Sequence, residues 1–231
     1  MTLSPSARTL LAGLALALLT ACGGGGTVVI GDGGGGGSTP LPVPNPFPNP
    51  PTQTCSTAGL AAAAQSPWPV VCMLTSSGEM VIELYDSYSP ATVNNFLAYV
   101  NAGFYANTLV HRVDRDFVFQ GGGYTSGQVP KNALYNPVVL EDNNGLSNLR
   151  GTIAMARRTD PNTATSQWFI NVRDNTALDS TPAQRGYAVF GRVISGLPVV
   201  DAINVTPVYT YSATDIRPRV EILTYWVRRV Q

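Results

Sequence analysis

From Val70 onward, short apolar runs alternate with turn residues. VVCMLT (Val70 to Thr75) and MVIELY (Met80 to Tyr85) flank Ser76-Ser77-Gly78-Glu79, and two strand-like runs across a turn-rich break predict a hairpin. TLVHRV, FVFQ, GTIAMA, SQWFINV, YAVFGRV and RVEILTYWV follow, most of them bounded by Gly, Asn, Asp or Pro. Together these make eight predicted strands. Between the second and third, Ser89-Pro90 offers an N-cap and a proline for the first helical turn, Val93, Phe96, Leu97 and Val100 recur at helical spacing, and Gly103 marks a stop. A second short helix is predicted from Leu197 to Ile203, opened by Pro198. Many short strands and few helices favour closure, because closing a sheet on itself removes its exposed edges. The expected fold is mainly β: a closed eight-stranded antiparallel β-barrel capped by two α-helices.

The pattern upstream is different. Leu10 to Leu19 reads LLAGLALALL behind a lone Arg8, the charged and apolar regions of an export signal. Ten residues of helix span about 15 Å, roughly half a bilayer core, which disfavours a permanent membrane span. The run ends in Leu19-Thr20-Ala21-Cys22. These residues resemble a bacterial lipoprotein box, which implies lipidation of Cys22 as the mature N-terminus. The other reading is a plain secretory signal in which Cys22 is incidental. From Gly23 to Pro51 lie ten glycines and seven prolines. Glycine runs bury too little surface to offset their ordering entropy, and the proline run favours an extended spacer. The expected organisation is a signal peptide over 1–21, a lipidated Cys22 with a Gly/Pro-rich linker over 22–67, and a folded domain over 68–231. A lipid anchor implies a cell-envelope location, and Gly23 rather than Asp after the cysteine favours the outer membrane, facing the periplasm.

Charge supports the division. Before Glu79 only Arg8 and Asp32 are charged, whereas the whole chain carries 14 Lys+Arg and 14 Asp+Glu. Zero net charge excludes a strongly basic nucleic-acid binder. One histidine, and cysteines at 22, 55 and 72, make no zinc-binding set, so neither a metal nor another cofactor is expected. Export permits disulfides, and Cys55 and Cys72 enclose 16 residues, a loop whose closure is worth roughly 3 kcal/mol. Alternatively Cys72, inside VVCML, is an unpaired buried strand residue. GGGG and GGGYTSG do not fit a strand-to-helix nucleotide loop. No Gly-x-Ser-x-Gly elbow accompanies His111 as a hydrolase base. If Arg112 faces a groove, strand alternation sends His111 to the opposite face.

VHRVDRDFVFQGGGY (Val110 to Tyr124) resembles the FHR(I/V)-x-x-x-F-x-x-QGGD/G stretch of cyclophilin-type peptidyl-prolyl isomerases. GTIAMAR (Gly151 to Arg157), TSQWFINV (Thr165 to Val172), ALD (Ala177 to Asp179) and YAVFGRVISGLPVVDAI (Tyr187 to Ile203) continue it in the family's order. The resemblance runs from Val70 to the C-terminus and is closest to small bacterial members. It implies the same barrel, no cofactor, and rotation of X-Pro peptide bonds in exported proteins during folding. Proline-containing peptides and unfolded exported proteins are the implied partners, met by a monomer.

That reaction must break amide resonance against a barrier of about 20 kcal/mol. As the C–N bond twists, the nitrogen gains a localised lone pair, and a fixed donor aimed at it binds the transition state more tightly than either planar isomer. The resemblance gives that part to Arg112, a permanently charged planar fork; otherwise Arg112 is a surface arginine paired with Asp114 or Asp116. It implies Phe117, Val118, Phe169, Leu178 and Tyr187 as walls for the proline ring, and Gln120 and Gln167 as groups orienting peptide and arginine. Ala156 and Arg157 match backbone positions that pair with an extended substrate. Ala177 stands where the family often has Trp or Phe, which implies a cut-down wall, weak binding of cyclosporin-like macrocycles, and retained turnover of peptides. Were that wall essential, the alternative would be a non-catalytic holdase or scaffold gripping proline segments.

Overall fold

The computed structural model describes residues 50–231. The expected export signal, the expected lipidation site Cys22 and the predicted linker up to residue 49 lie outside the described residues. Helix α1 (Thr57–Ala63) precedes β1 (Val70–Thr75) and β2 (Gly78–Leu84), which form the predicted hairpin. Helix α2 (Pro90–Asn101) follows, then β3 (Thr108–Asp114), β4 (Val118–Thr125) and the two-residue β5 (Val129–Pro130). After a long loop come β6 (Thr152–Met155), β7 (Trp168–Asn171), β8 (Val189–Ser195) and α3 (Leu197–Asn204). A small hairpin of β9 (Val208–Thr210) and β10 (Ile216–Pro218) leads into β11 (Ile222–Arg229).

The sheet runs β3-β11-β1-β2-β8-β6-β7-β4 and closes through an antiparallel β3–β4 pairing, with β5 added beyond β4. The closed ring thus has the eight predicted strands. Alternation along them sorts the chain into two environments. Phe119, Ile153, Ile170 and Phe190 point into the barrel with Met73, Ile82 and Trp168, joined by Phe96 and Val100 from α2 and Val200 and Ile203 from α3. Val118, Ala154, Phe169 and Val189 point outward and form a separate apolar patch.

Three features depart from expectation. Folded structure begins well before Trp68: Cys55 is bonded to Cys72, and α1 packs with them on the barrel. Residues 55–66 therefore belong to the domain, which has three helices. The compositional change at Pro51 marks this boundary better than the first charged residues do. Ser56 caps α1 by accepting from Gly59 N (3.0 Å), while Glu79 accepts from Ser56 N (2.8 Å) and Oγ (2.6 Å). A Cβ on Gly59 would lie 2.5 Å from Glu79 Oε1 and 2.7 Å from Cys55 Sγ, so only glycine fits under this clasp.

Secondly, Ser89 sits at the N-cap of α2 as expected but makes no side-chain cap bond. Glu141, from the long loop, takes Ala91 N (3.1 Å), Thr92 N (2.8 Å) and Thr92 Oγ1 (2.7 Å), satisfying orphan donors and placing a negative charge at the helix start. Thirdly, β9 and β10 were not predicted, being three-residue segments with little apolar alternation, β9 mostly exposed and β10 half-buried.

Candidate functional site

A transverse row of paired residues builds the site. Arg112 on β3 stands opposite Gln120 on β4, Gln120 opposite Phe169 on β7, Phe169 opposite Ala154 on β6, and Ala154 opposite Val189 on β8. Directly opposed residues in antiparallel strands share a face, so this row projects outward from the barrel. Val118 lies two positions from Gln120 and shares that face. The loops after β7 bring Leu178 and Tyr187 over the patch: Tyr187 N donates to Leu178 O (3.0 Å), and the Tyr187 ring meets Phe169 edge-on at 5.4 Å.

The result is a slot of about 100 Å³ lined by Arg112, Phe117, Val118, Gln120, Ala156, Arg157, Phe169, Leu178 and Tyr187. Every one of them was expected from sequence. Gln167 stands at its edge: its Oε1 accepts from Gln120 Nε2 (2.8 Å), and it lines an adjoining chamber of about 320 Å³ together with Gln120, Ala156 and Arg157. Gly122, at φ +83°, lets this corner close, because a Cβ there would lie 2.7 Å from Ser166 O.

Arg112 is ion-paired and also lines the slot. Its NH2 donates to Asp114 Oδ2 at 2.7 Å, and its side chain remains on the slot wall, 19% exposed. Its Nε is buried without a hydrogen-bond partner in the protein. The guanidinium as a whole, not this inner nitrogen, is what Arg112 presents to the slot. The guanidinium carbon is 6.0 Å from the centre of the Phe117 ring. Gln120 makes no hydrogen bond to Arg112; its amide donates to Gln167.

Two expectations are corrected here. Ala177 is exposed and does not line the slot; it lies in a single turn, Thr176–Leu178, that turns Leu178 inward instead. The wall beside Tyr187 is supplied by Arg157, whose guanidinium lies 4.7 Å from that ring centre. His111, expected on the opposite face, borders a further cavity together with Arg112. The β3–β4 register shifts between Val110 and Arg112, and both Val110 and Val113 face the core. This bulge inserts an extra outward position, so His111 and Arg112 point the same way. Burial above all lowers the His111 pKa to about 4, with Arg112 and Arg217 adding to the effect. A neutral imidazole results, packed 4.5 Å from the Tyr124 ring.

The roles of the supporting groups were not legible in sequence, although Asp179 closes the ALD segment. Asp142, its side chain fully buried, accepts from Arg185 Nε (2.8 Å) and Gly186 N (2.7 Å), and the Arg185 bond holds its carboxyl below the usual range. Asp179 accepts from Asn148 N (2.7 Å) and Nδ2 (2.8 Å). These carboxylates hold the loops on which Leu178 and Tyr187 stand. They are single residues in loops of no regular pattern, and only the fold brings them to their partners.

Comparison with known proteins agrees with the geometry. Residues 70–227 match the family described as cyclophilin type peptidyl-prolyl cis-trans isomerase/CLD. The chain is 53% identical over 132 residues to a peptidyl-prolyl cis-trans isomerase of Streptomyces antibioticus, covering 56% of this chain and 79% of that one. It is 43% identical over 163 residues to one from Acinetobacter baylyi, covering 70% and 86%. Among solved structures, a Cryptosporidium parvum cyclophilin type peptidyl-prolyl cis-trans isomerase crystallised in the presence of the dipeptide Ala-Pro superposes with a TM-score of 0.59 at 27% identity, covering 69% of this chain and 98% of that one. An outward apolar slot, an arginine at its mouth and an eight-stranded closed barrel thus coincide with sequence kinship over most of the domain: the chain belongs to the cyclophilin-type peptidyl-prolyl cis-trans isomerases.

Proposed function

We propose that Arg112 is the catalytic donor of this isomerase and that the slot beneath it receives the substrate proline. The observation that carries the assignment is the partly exposed Arg112 guanidinium, held by Asp114 on a wall shared with Phe117, Val118, Phe169, Leu178 and Tyr187. Asp114 occupies one terminal nitrogen and fixes the plane of the guanidinium, leaving the remaining donors to meet the twisted amide. Apolar walls favour the proline ring by burial, and a donor already in position needs no reorganisation as the nitrogen lone pair develops. Gln120 borders both the slot and the adjoining chamber, Gln167 the chamber, and the bonded pair orients the peptide between them. The test is X-Pro isomerisation by the purified protein: acceleration over buffer that is lost in Arg112→Ala supports the assignment, and an unaltered rate in that variant rejects it.

The place of action is read from the N-terminal sequence. Leu19-Thr20-Ala21-Cys22 after an apolar run, followed by a glycine- and proline-rich tether, supports a lipid anchor at Cys22 that holds the barrel in the bacterial envelope, on the periplasmic side of the outer membrane. Anchors of more than one acyl chain bind membranes stably. Its substrates there are exported proteins still folding. Cys22→Ser moves the protein from the membrane to the soluble fraction; retention in the membrane fraction overturns the anchor.

A further inference from the structure

The chamber beside the slot carries an unusual charge pattern. Its wall includes Arg157 and Arg158, the hydroxyl residues Thr163 and Thr165, and Gln167, and no carboxylate. The Arg157 guanidinium is locked by neutral acceptors alone: Nε donates to Gly186 O (3.0 Å), NH1 to Arg158 O (2.9 Å) and Thr159 O (3.2 Å), and NH2 to Arg185 O (2.9 Å). Its opposite support is the face of Tyr187. Carbonyls and a ring face hold an arginine in place without neutralising it. Arg158 is exposed at the mouth, and its backbone N is tied to Thr163 Oγ1 (2.9 Å).

Among the described residues, the other arginines bordering the slot and its neighbouring cavities are matched, Arg112 with Asp114 and Arg217 with Asp215, and Arg185, whose carbonyl holds Arg157, is matched with Asp142. Arg157 and Arg158 form no ion pair there. Asp160, on the same loop, contributes its carbonyl to Thr163 Oγ1 and pairs with neither arginine. The local field in the chamber is therefore positive on a chain whose net charge is zero, and concave sites lined by one sign of charge concentrate the opposite sign.

We propose that this chamber is a subsite for an acidic side chain, so that the enzyme prefers X-Pro segments with Asp or Glu near the proline on the flank that passes Gln120 and Gln167. The inference rests on the isomerase reading above and adds the class of substrate. Because the arginines meet the flanking residue rather than the rotating bond, they bind ground and transition states alike, and the preference enters through KM.

The test uses the full chain and peptides carrying Glu, Gln or Lys two residues before or two residues after the proline. At low salt the Glu peptide should exceed its Gln counterpart in kcat/KM by about 3- to 5-fold on one flank only, the scale of a partly exposed ion pair. Lys should fall below Gln on that flank. The ratio should fall toward one at about 1 M salt, where the screening length is about 3 Å, and should invert in Arg158→Glu. Equal kcat/KM for Glu and Gln on both flanks, or a ratio indifferent to Arg158→Glu, overturns the proposal. If no peptide isomerises faster than in buffer, the isomerase reading fails instead. Calorimetric binding of the same peptides then still decides the charge preference.

Discussion

Arg112 and Gln120 are direct partners across β3 and β4, yet their side chains bond elsewhere: the guanidinium to Asp114 at 2.7 Å, the amide to Gln167 at 2.8 Å. Each is thus oriented by a neighbour of its own, and the Arg112 Nε stays uncommitted. Removing the guanidinium should cost about 10²-fold in kcat/KM, the scale of one transition-state donor. Arg112→Ala is expected to do this without lowering the melting temperature by more than a few degrees. Arg112→Lys should recover little, because an ammonium cannot reproduce the planar fork. A slow variant that has also lost its fold would not support the assignment.

His111 predicts an acid limb in stability. Its pKa is about 6.5 unfolded and about 4 in the fold. Above pH 6.5 both states are neutral and the residue contributes no pH dependence. As pH falls from 6.5 toward 4 the unfolded chain takes up a proton that the folded protein refuses, and stability drops by up to about 3 kcal/mol. His111→Gln should flatten this part of the curve relative to wild type in urea unfolding across that window. Parallel curves for the two proteins would contradict the buried neutral imidazole.

The Cys55–Cys72 bridge lies in the cluster with Ala63, Val81 and Trp226, and the slot lies in another. Cys55→Ser with Cys72→Ser should therefore lower unfolding free energy by about 3 kcal/mol, as expected for closing a loop of this length. kcat/KM at 25 °C should stay within about twofold of wild type, since the slot's own contacts are untouched. A large loss of turnover in a folded variant would mean that α1 supports the site.

Ala177 sits exposed beside the slot rather than in its wall. Peptides that need only the slot should turn over normally, while a large cyclosporin-like macrocycle lacks an aromatic surface to lie on. Ala177→Trp should tighten such a macrocycle by about tenfold, corresponding to one good aromatic contact. Nanomolar inhibition of the wild-type protein would refute the account.

How far the site was legible depended on how its residues are joined. Phe117, Val118, Gln120, Phe169 and Tyr187 sit in or beside strands whose alternation and motif spacing survive in one dimension. Asp142 and Glu141 act across 43 to 50 positions, and no local pattern announces such a pairing. The His111 bulge is likewise silent in sequence, since it consists of a register shift between two strands. Helix α1 was hidden for another reason. Its small, alanine-rich sequence follows a proline run, and it is held by a disulfide and the Glu79 clasp more than by an apolar face of its own.

Strand periodicity and turn residues determined the eight strands of the barrel, and the Gly/Pro tract marked where the domain begins, because each is a local consequence of backbone sterics and side-chain burial. Which cations remain unneutralised, which carboxylates brace the loops, and that Arg157 lies over the Tyr187 ring while Ala177 is left off the slot wall were decided by the closed sheet. Closing it brings distant loops within hydrogen-bonding range, and electrostatic pairing depends on distance in space rather than along the chain.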